Sequence, residues 1–225
     1  MQSAGIDVLF KGINLQRLLG GLFVTGRIAL ISIIFSVFIG LVLGVLMTTK
    51  KKWIYIILKF YLESMRIIPL LVWLFVAYFG VAKSFRLHID AETTTILVFI
   101  LWGAAEMMDI VRGAIISLPK VQSESAKSIG LNNIQVYKYV LVPQALRRLA
   151  PAAINLITRM IKTTSLAIFI EVTEVVKVGR QIIEYSGQKN PMASFWVYLF
   201  IFFLYFIVCY PITLYSRKLE KKWVS

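Results

Sequence analysis

Cysteine and histidine are almost absent from this sequence of 225 residues, which contains one of each. With Cys209 alone, the chain has no disulfide framework. His88 is equally isolated, so the sequence shows no metal cluster and no nucleophile–base pair. The G-x-x-x-x-G-K-[ST] phosphate loop is also missing, because Lys83-Ser84 has neither of its glycines. We therefore expect no catalytic residue, no metal and no ATP site in this chain, and a hydrolase is disfavoured.

Charged residues are missing altogether from two long segments. Residues 28–49 and 191–216 contain no Asp, Glu, Lys or Arg, and a helix needs about 20 apolar residues to cross a bilayer. Hydrophobic residues make up 59% of the sequence, and its mean hydropathy is +0.78. This composition predicts an all-α membrane protein. The two uncharged segments look like plain lipid-facing helices.

The distribution of basic residues indicates the topology. Bases outnumber acids by 25 to 11, and their excess is concentrated in three regions. Twelve bases and two acids lie in residues 50–52, 117–148 and 217–222. Seven bases and six acids lie in residues 1–17, 82–94 and 171–193. Because basic loops stay in the cytoplasm, the first three regions are predicted to be inside and the other three outside.

This assignment requires an odd number of crossings, with the N-terminus out and the C-terminus in. Five crossings fit the apolar segments, within a single transmembrane domain that covers residues 1–225. The predicted spans lie near residues 22–49, 60–82, 93–117, 149–170 and 192–216.

The third predicted span carries acidic residues on one helical face. That face has spacings of four, three and four residues and consists of Trp102, Glu106, Asp109 and Gly113. A carboxylate at the bilayer centre costs roughly 2.5–3.5 kcal/mol, so this face must meet protein or water. It predicts a polar pathway or, alternatively, a structural network in which Asp109 pairs with Arg112.

The fourth predicted span has a similar face of the opposite charge. Its members recur at spacings of three, four and three residues and are Asn155, Thr158, Lys162 and Ser165, with Arg159 beside them. Two such faces, one acidic and one basic, are typical of a polar pathway, although the structural network remains the alternative.

The loop between these spans, residues 117–148, is patterned. Residues 121–129 are predicted to form a short helix that Gly130 ends in the left-handed conformation. Asn132 or Asn133 can cap a second helix, which runs to about residue 141 before Pro143 stops it. A simple structural linker is the alternative interpretation.

These residues resemble one protein family. Glu124-Ser125-Ala126, Gly130 and Leu141-Val142-Pro143 are similar to the loop of ABC importer permeases, which reads E-A-A, three residues, G and a later L-P. Three further segments resemble the branch that transports polar amino acids. They are R-I-I-P-L-L-V-W-L-F from Arg66, D-I-V-R-G-A-I from Asp109 and K-T-T-S-L from Lys162. The resemblance covers roughly residues 66–187.

The resemblance implies the type I ABC importer permease fold, with a cytoplasmic coupling helix, in the bacterial plasma membrane. It also implies three kinds of partner: two ATP-binding subunits that hold ATP and Mg²⁺, a second permease chain, identical or paralogous, and an extracellular solute-binding protein. The substrate is then a polar amino acid. An ATP-independent secondary transporter or channel is the alternative, and it would leave the patterned loop unexplained.

The resemblance also assigns roles to individual residues. The residues expected to couple the permease to the ATPase are Glu124, Ser125, Ala126, Gly130 and Pro143. The substrate pathway is predicted from the chemistry of an amino acid instead, which offers an ammonium and a carboxylate group and so needs partners of both signs. Candidates for the ammonium side are Glu106 and Asp109, and candidates for the carboxylate side are Lys162, Thr163, Thr164 and Ser165.

Three pathway positions depart from the family pattern. Asp109 stands where Glu is usual, Thr163 where Asp is usual, and Glu106 where Tyr is usual. The extra carboxylate of Glu106 favours a substrate with a second positive charge, such as arginine, lysine or histidine. Alternatively, Glu106 pairs with Arg159 or Lys162 and does not meet substrate.

Overall fold

The computed structural model describes residues 5–49, 51–81, 89–186 and 191–223. Helices account for nearly all of this part of the chain, and no strand occurs in it, which confirms the all-α prediction. The helices are α1 Asp7–Phe10, α2 Asn14–Met47, α3 Lys52–Ile67, α4 Leu70–Phe75, α5 Ala91–Ile116, α6 Lys120–Ser128, α7 Asn133–Val136, α8 Val142–Thr163, α9 Val175–Ser186 and α10 Ala193–Trp223. Tighter or wider turns extend three of them: π-helical Val76–Val81 and Tyr137–Leu141, and 3₁₀-helical Thr164–Ile170.

Among the described residues, four helical segments are long and apolar enough to cross a membrane. They are Asn14–Met47, Ala91–Ile116, Asn133–Ile170 and Ala193–Lys222. A fifth crossing is available if α3 and the segment Leu70–Gly80 form one broken span. Four of the five predicted spans are therefore present as single helical segments, and the second occurs only as this broken pair. The first helix begins eight residues earlier than the predicted position 22.

The second span is bent where the sequence predicted a continuous helix. Its two halves meet at an angle of 100° on either side of Pro69. Ile68 is extended, with φ −82° and ψ 126°, as steric contact with a following proline ring favours. Pro69 therefore separates two helices within the segment that was predicted as one span, near residues 60–82.

The chain folds as two compact units. The first contains the described parts of residues 1–32, 70–98 and 159–211. Its core is an apolar cluster to which α1, α2, α9 and α10 contribute, consisting of Val8, Leu9, Leu18, Val175, Val178, Ile182, Ala193, Val197 and Ile201. The α9 helix contributes one apolar stripe to this cluster, and it lies outside the candidate spans.

The second unit contains the described parts of residues 33–69, 99–158 and 212–225. Within it, α2 approaches α5 through Ser36, Gly40 and Gly44, which are four residues apart. The Ser36 hydroxyl donates to the carbonyl oxygen of Ile100 at 3.1 Å. A Cβ atom added to Gly40 would lie 2.5 Å from the Cβ of Met107. Small residues at this spacing let two membrane helices pack closely, so the first span is more than the lipid-facing helix that its sequence suggested.

Candidate functional site

The predicted coupling residues begin on α6, a polar helix in the second unit. Glu124 and Ser125 are exposed, whereas Ala126 is buried. This helix is tied to the start of α8 by a hydrogen bond of 3.2 Å from the Gln144 side-chain amide to that of Gln122. The arrangement therefore presents the Glu124 carboxylate outward, where a separate protein could contact it.

Gly130 ends α6 in the left-handed conformation that the sequence predicted, with φ +90°. Its N–H donates to the carbonyl oxygen of Lys127 at 2.9 Å, and the N–H of Leu131 donates to that of Ala126 at 3.2 Å. This pair of bonds is the Schellman motif, which satisfies carbonyl groups that the end of a helix leaves open. The turn that Gly130 makes sets the angle at which the chain leaves α6.

Asn132 caps the next helix. Its side-chain oxygen accepts the N–H of Gln135 at 2.9 Å, and the Gln135 side-chain oxygen accepts the N–H of Asn132 at 2.8 Å. This reciprocal pair is a capping box. The loop thus has the helix, glycine turn and second helix that its residues predicted.

The expected stop at Pro143 is wrong. The chain passes from α7 through the π-helical turn Tyr137–Leu141 directly into α8, and Pro143 is the second residue of that helix. A proline is tolerated in the first turn of a helix, where its missing N–H matters least. Pro143 therefore lies at the change from π-helical to α-helical winding, and the second loop helix continues into the fourth span.

Glu106 and Asp109 of the acidic face belong to a cluster of four charges in the second unit. Arg66 lies near the end of α3, and its Nε donates to a carboxylate oxygen of Glu106 at 2.9 Å. The Nη2 atom of Arg66 forms an ion pair with Asp109 at 2.9 Å. Arg112 donates to the other oxygen of Asp109 at 2.6 Å, as its position three residues later predicted. Two carboxylates thus face two guanidinium groups, which compensates the cost of burying Glu106, whose exposed fraction is 8%.

Arg66 is the functional candidate that sequence reasoning missed. In the sequence, Arg66 follows Lys59 and Glu63 at intervals of four and three residues, a spacing that favours pairing within its own helix. The structure instead pairs Arg66 with residues 40 and 43 positions later. No local spacing reveals such a pair. Since Arg66 lies two residues before the bend at Ile68, the cluster holds the end of α3 against α5.

Lys162, Thr163, Thr164 and Ser165, which were predicted to bind the carboxylate of the substrate, lie in the first unit, where α8 ends. The helix tightens from α to 3₁₀ between Thr163 and Thr164. Each hydroxyl donates to a carbonyl oxygen of its own helix: Thr163 to Arg159 at 2.8 Å, Thr164 to Ile161 at 2.8 Å and Ser165 to Lys162 at 3.0 Å. With their protons engaged, these hydroxyls offer acceptor lone pairs, and Lys162 supplies the positive charge. Thr164 is fully buried.

Glu174 is a second buried carboxylate that sequence reasoning did not single out. It is 0% exposed and accepts the N–H groups of Val176 at 2.9 Å and Lys177 at 2.8 Å. It thereby caps α9 at its N-terminus, and the Thr25 hydroxyl lies 3.5 Å away. Burial raises the pKa of the Glu174 carboxyl to about 7, although these three donors favour the charged form.

We expect the stability of this unit to depend on the titration of Glu174. Its carboxyl binds a proton more tightly in the folded protein than at the ordinary pKa of 4.5. The contribution of Glu174 to the free energy of unfolding is therefore fully present below pH 4.5 and falls by about 3 kcal/mol as pH rises through about 7. In Glu174→Gln this contribution should vanish. Thermal unfolding of both proteins in detergent from pH 5 to 9 should show the variant gaining stability relative to the parent. A difference that stays constant with pH would contradict the prediction.

A metal site is not indicated, because the described residues contain no group of three His, Cys, Asp or Glu side chains that could hold an ion.

Sequence comparison finds relatives along nearly the whole chain. The family model described as "Binding-protein-dependent transport system inner membrane component" matches residues 36–225. The probable glutamine ABC transporter permease protein GlnP of Bacillus subtilis is 34% identical, over 92% of this chain and 94% of its own. The arginine ABC transporter permease protein ArtM of Haemophilus influenzae is 31% identical, over 96% of this chain and 92% of its own.

Solved structures share the fold at lower sequence identity. A crystal structure of an amino acid ABC transporter with histidines matches with a TM-score of 0.87 at 22% identity, over 99% of this chain and 100% of that chain. An inward-facing methionine ABC transporter, MetNI, matches with a TM-score of 0.72 at 20% identity, over 91% and 97%. These likenesses confirm the predicted ABC importer permease fold.

Proposed function

The chain belongs to the family of binding-protein-dependent transport system inner membrane components and is a permease subunit of an ABC transporter in the bacterial membrane, and we propose that it imports polar amino acids. The chain acts as one permease domain, and it is not itself an enzyme. Two copies of a separate ATPase subunit bind ATP and Mg²⁺. A second permease chain, identical or paralogous, completes the membrane pathway, and an extracellular solute-binding protein delivers the substrate.

The observation that carries this proposal is the loop between the third and fourth spans. An exposed polar helix, a left-handed glycine and a capped second helix form a shaped element between the third and fourth spans. The second helix continues into α8, so a force on the loop is passed to the fourth span along one helical axis. ATP-driven closure of the ATPase subunits would move the spans as rigid bodies, which is how alternating access proceeds in transporters.

The proposal is tested by reconstitution. We expect the chain to co-purify with a co-expressed ABC ATPase subunit and to bind a solute-binding protein from the same organism. In proteoliposomes, uptake of radiolabelled amino acids should require external binding protein and internal ATP. Uptake that proceeds equally without nucleotide would support the secondary transporter or channel instead.

For topology, we propose that the N-terminus is outside and the C-terminus inside. Position 127 should then be cytoplasmic and position 184 external, since one candidate span, Asn133–Ile170, separates them in the chain. Single cysteines at Lys127 and Glu184 in a Cys209→Ser background should be labelled by an impermeant maleimide from opposite sides. Labelling of Glu184→Cys only from the cytoplasm would contradict this topology. The loop that includes residues 82–88 was also predicted to be external, but those residues lie outside the described part of the chain.

For the substrate, we propose that Glu106 favours amino acids with a cationic side chain. The cluster of Arg66, Glu106, Asp109 and Arg112 has no net charge, so removing one carboxylate leaves an excess positive charge. Loss of one carboxylate from a site of effective dielectric constant near 20 weakens the attraction for a second positive charge, and a loss of about 1.4 kcal/mol corresponds to tenfold in affinity. Glu106→Gln should therefore lower uptake of arginine and lysine about tenfold relative to glutamine.

Uptake of the three amino acids is measured side by side, with Glu63→Gln as the control because Glu63 is an exposed carboxylate on α3. Equal loss for all substrates would mean that Glu106 serves only the packing of α3 on α5. No preference for cations in the parent protein would also contradict the proposal.

A further inference from the structure

The C-terminal end of α10 carries a basic face for which the transport mechanism described above gives no role. Arg217 and Lys218 recur one helical turn later as Lys221 and Lys222, so the four bases share one face of the helix. All four side chains are exposed. The candidate span Ala193–Lys222 ends with them, which places the face at the boundary between the membrane and water. We call these four residues the α10 basic face.

The opposite side of this helix end is fixed to α8. Ser216 is 1% exposed, and its hydroxyl donates to the carbonyl oxygen of Pro151 at 3.0 Å. Glu220, the one acid in residues 212–223, follows Ser216 by four residues and therefore lies on the same side of the helix. The α10 basic face consequently points away from α8 and away from the neighbouring carboxylate.

Helix stability and charge pairing do not account for the whole face. The dipole of a helix favours cations in its last turn, which explains Lys221 and Lys222. Arg217 and Lys218 precede that turn, and neither forms an ion pair with any described residue. The rule that keeps basic segments in the cytoplasm depends on the number of bases, and not on their arrangement along one face. Two adjacent exposed cations therefore remain for an anion from outside the chain.

The surface just before the bases has the character of a membrane interface. Tyr215 is 58% exposed and lies three residues before Lys218, and exposed Leu214 lies three residues before Arg217. Residues at this spacing are neighbours on a helix surface. Tyrosine is enriched where its ring meets acyl chains and its hydroxyl meets headgroups. The order of apolar, aromatic and basic side chains along this surface matches that of the acyl chain, glycerol and phosphate in a phospholipid.

We propose that the α10 basic face binds the headgroup of an anionic phospholipid. The guanidinium group of Arg217 can hold a phosphate through two parallel hydrogen bonds, and Lys218 adds a second positive charge. Clusters of four or more bases directly beside a membrane span recognise anionic lipids in this way. Such binding is independent of which substrate the permease carries. Because a ligand of the native state stabilises it, a bound headgroup also raises the stability of the packed ends of α8 and α10.

Lipid binding is measured on the purified permease–ATPase complex after lipid has been removed in a mild detergent. Palmitoyl-oleoyl-phosphatidylglycerol, or the zwitterionic phosphatidylcholine with the same chains, is titrated in, and bound lipid is counted by native mass spectrometry. We expect the anionic lipid to bind roughly tenfold more tightly and to raise the melting temperature. The preference should weaken at high salt.

Arg217→Gln combined with Lys218→Gln should lower the affinity for phosphatidylglycerol roughly tenfold. The exchange Arg217→Lys with Lys218→Arg, which keeps both charges, should retain most of it. The affinity for phosphatidylcholine should be the same in all of these proteins, because its headgroup has no net charge.

The matched control is Lys51→Gln combined with Lys52→Gln. These exposed bases stand at the start of α3, and their removal changes the net charge equally. Residues 54–56, one turn later, contain no base that could complete a face. The affinity of this variant for phosphatidylglycerol should stay at the parent value.

Three results would overturn the proposal. One is an equal loss of affinity in the α10 and α3 variants, because overall charge would then attract the lipid. Another is equal binding of the two lipids by the parent complex, a measurement that needs no variant to fold. The third is loss of the ATPase subunit from the glutamine variant of α10, which would identify the face as a contact with that subunit.

Discussion

Gly130→Val should lower transport and substrate-stimulated ATPase activity about tenfold while leaving insertion into the membrane intact. Gly130 has φ +90°, and no atom lies within 4 Å of a Cβ added there. The loss therefore comes from the backbone alone. A β-branched residue in the left-handed region costs roughly 1–2 kcal/mol, and about 1.4 kcal/mol is a factor of ten in the population of the native turn. A loop that leaves this conformation no longer presents Glu124 and the following helix to the ATPase together.

The matched control is Gly130→Asn at the same position. Asparagine tolerates the left-handed conformation, so this variant should retain most of the parent activity, and Gly130→Ala should lie between the two. ATPase stimulation and uptake are measured in proteoliposomes, and assembly with the ATPase is followed by size-exclusion chromatography. Full transport by Gly130→Val would mean that the segment is only a linker between two spans.

Gly40→Leu combined with Gly44→Leu should abolish the folded protein. A Cβ atom at Gly40 would lie 2.5 Å from the Cβ of Met107, and one at Gly44 would lie 2.5 Å from the Cβ of Val111. Real Cβ atoms do not approach so closely, so α2 would have to move away from α5. Overpacking costs about 1–3 kcal/mol at one site, and two sites together approach the net stability of about 5–15 kcal/mol that proteins have.

Gly26→Leu is the control for this experiment. Gly26 lies on the same helix, is exposed and has no neighbour within 4 Å of an added Cβ. A leucine there should therefore leave the protein intact. Fluorescence-detected size-exclusion chromatography and thermal unfolding report the amount and stability of folded protein. A monodisperse double variant with the parent melting temperature would show that the close approach of α2 and α5 is not needed.

The helices of this protein and the turn at Gly130 were predictable from the sequence because they depend on neighbours along the chain. Uncharged runs of about 20 residues can be stable in a bilayer only as helices, since each backbone group must find its partner within the segment. The left-handed glycine and the Asn132 cap likewise follow from groups a few positions apart. The pairing of Asp109 with Arg112 is also local, because the two residues lie one helical turn apart.

Only the tertiary structure decided the contacts between distant parts of the chain. The sequence placed Arg66 among the charges of its own helix, yet its partners are Glu106 and Asp109. A proline favours an extended conformation in the residue before it, but Pro69 by itself does not give the bend of 100° between α3 and the segment after it. The spacing of Gly40 and Gly44 is visible in the sequence, although it does not reveal that Met107 and Val111 lie opposite. Periodicity determines which residues share a face. Which faces meet depends on how the helices fill space together, and that depends on the whole chain.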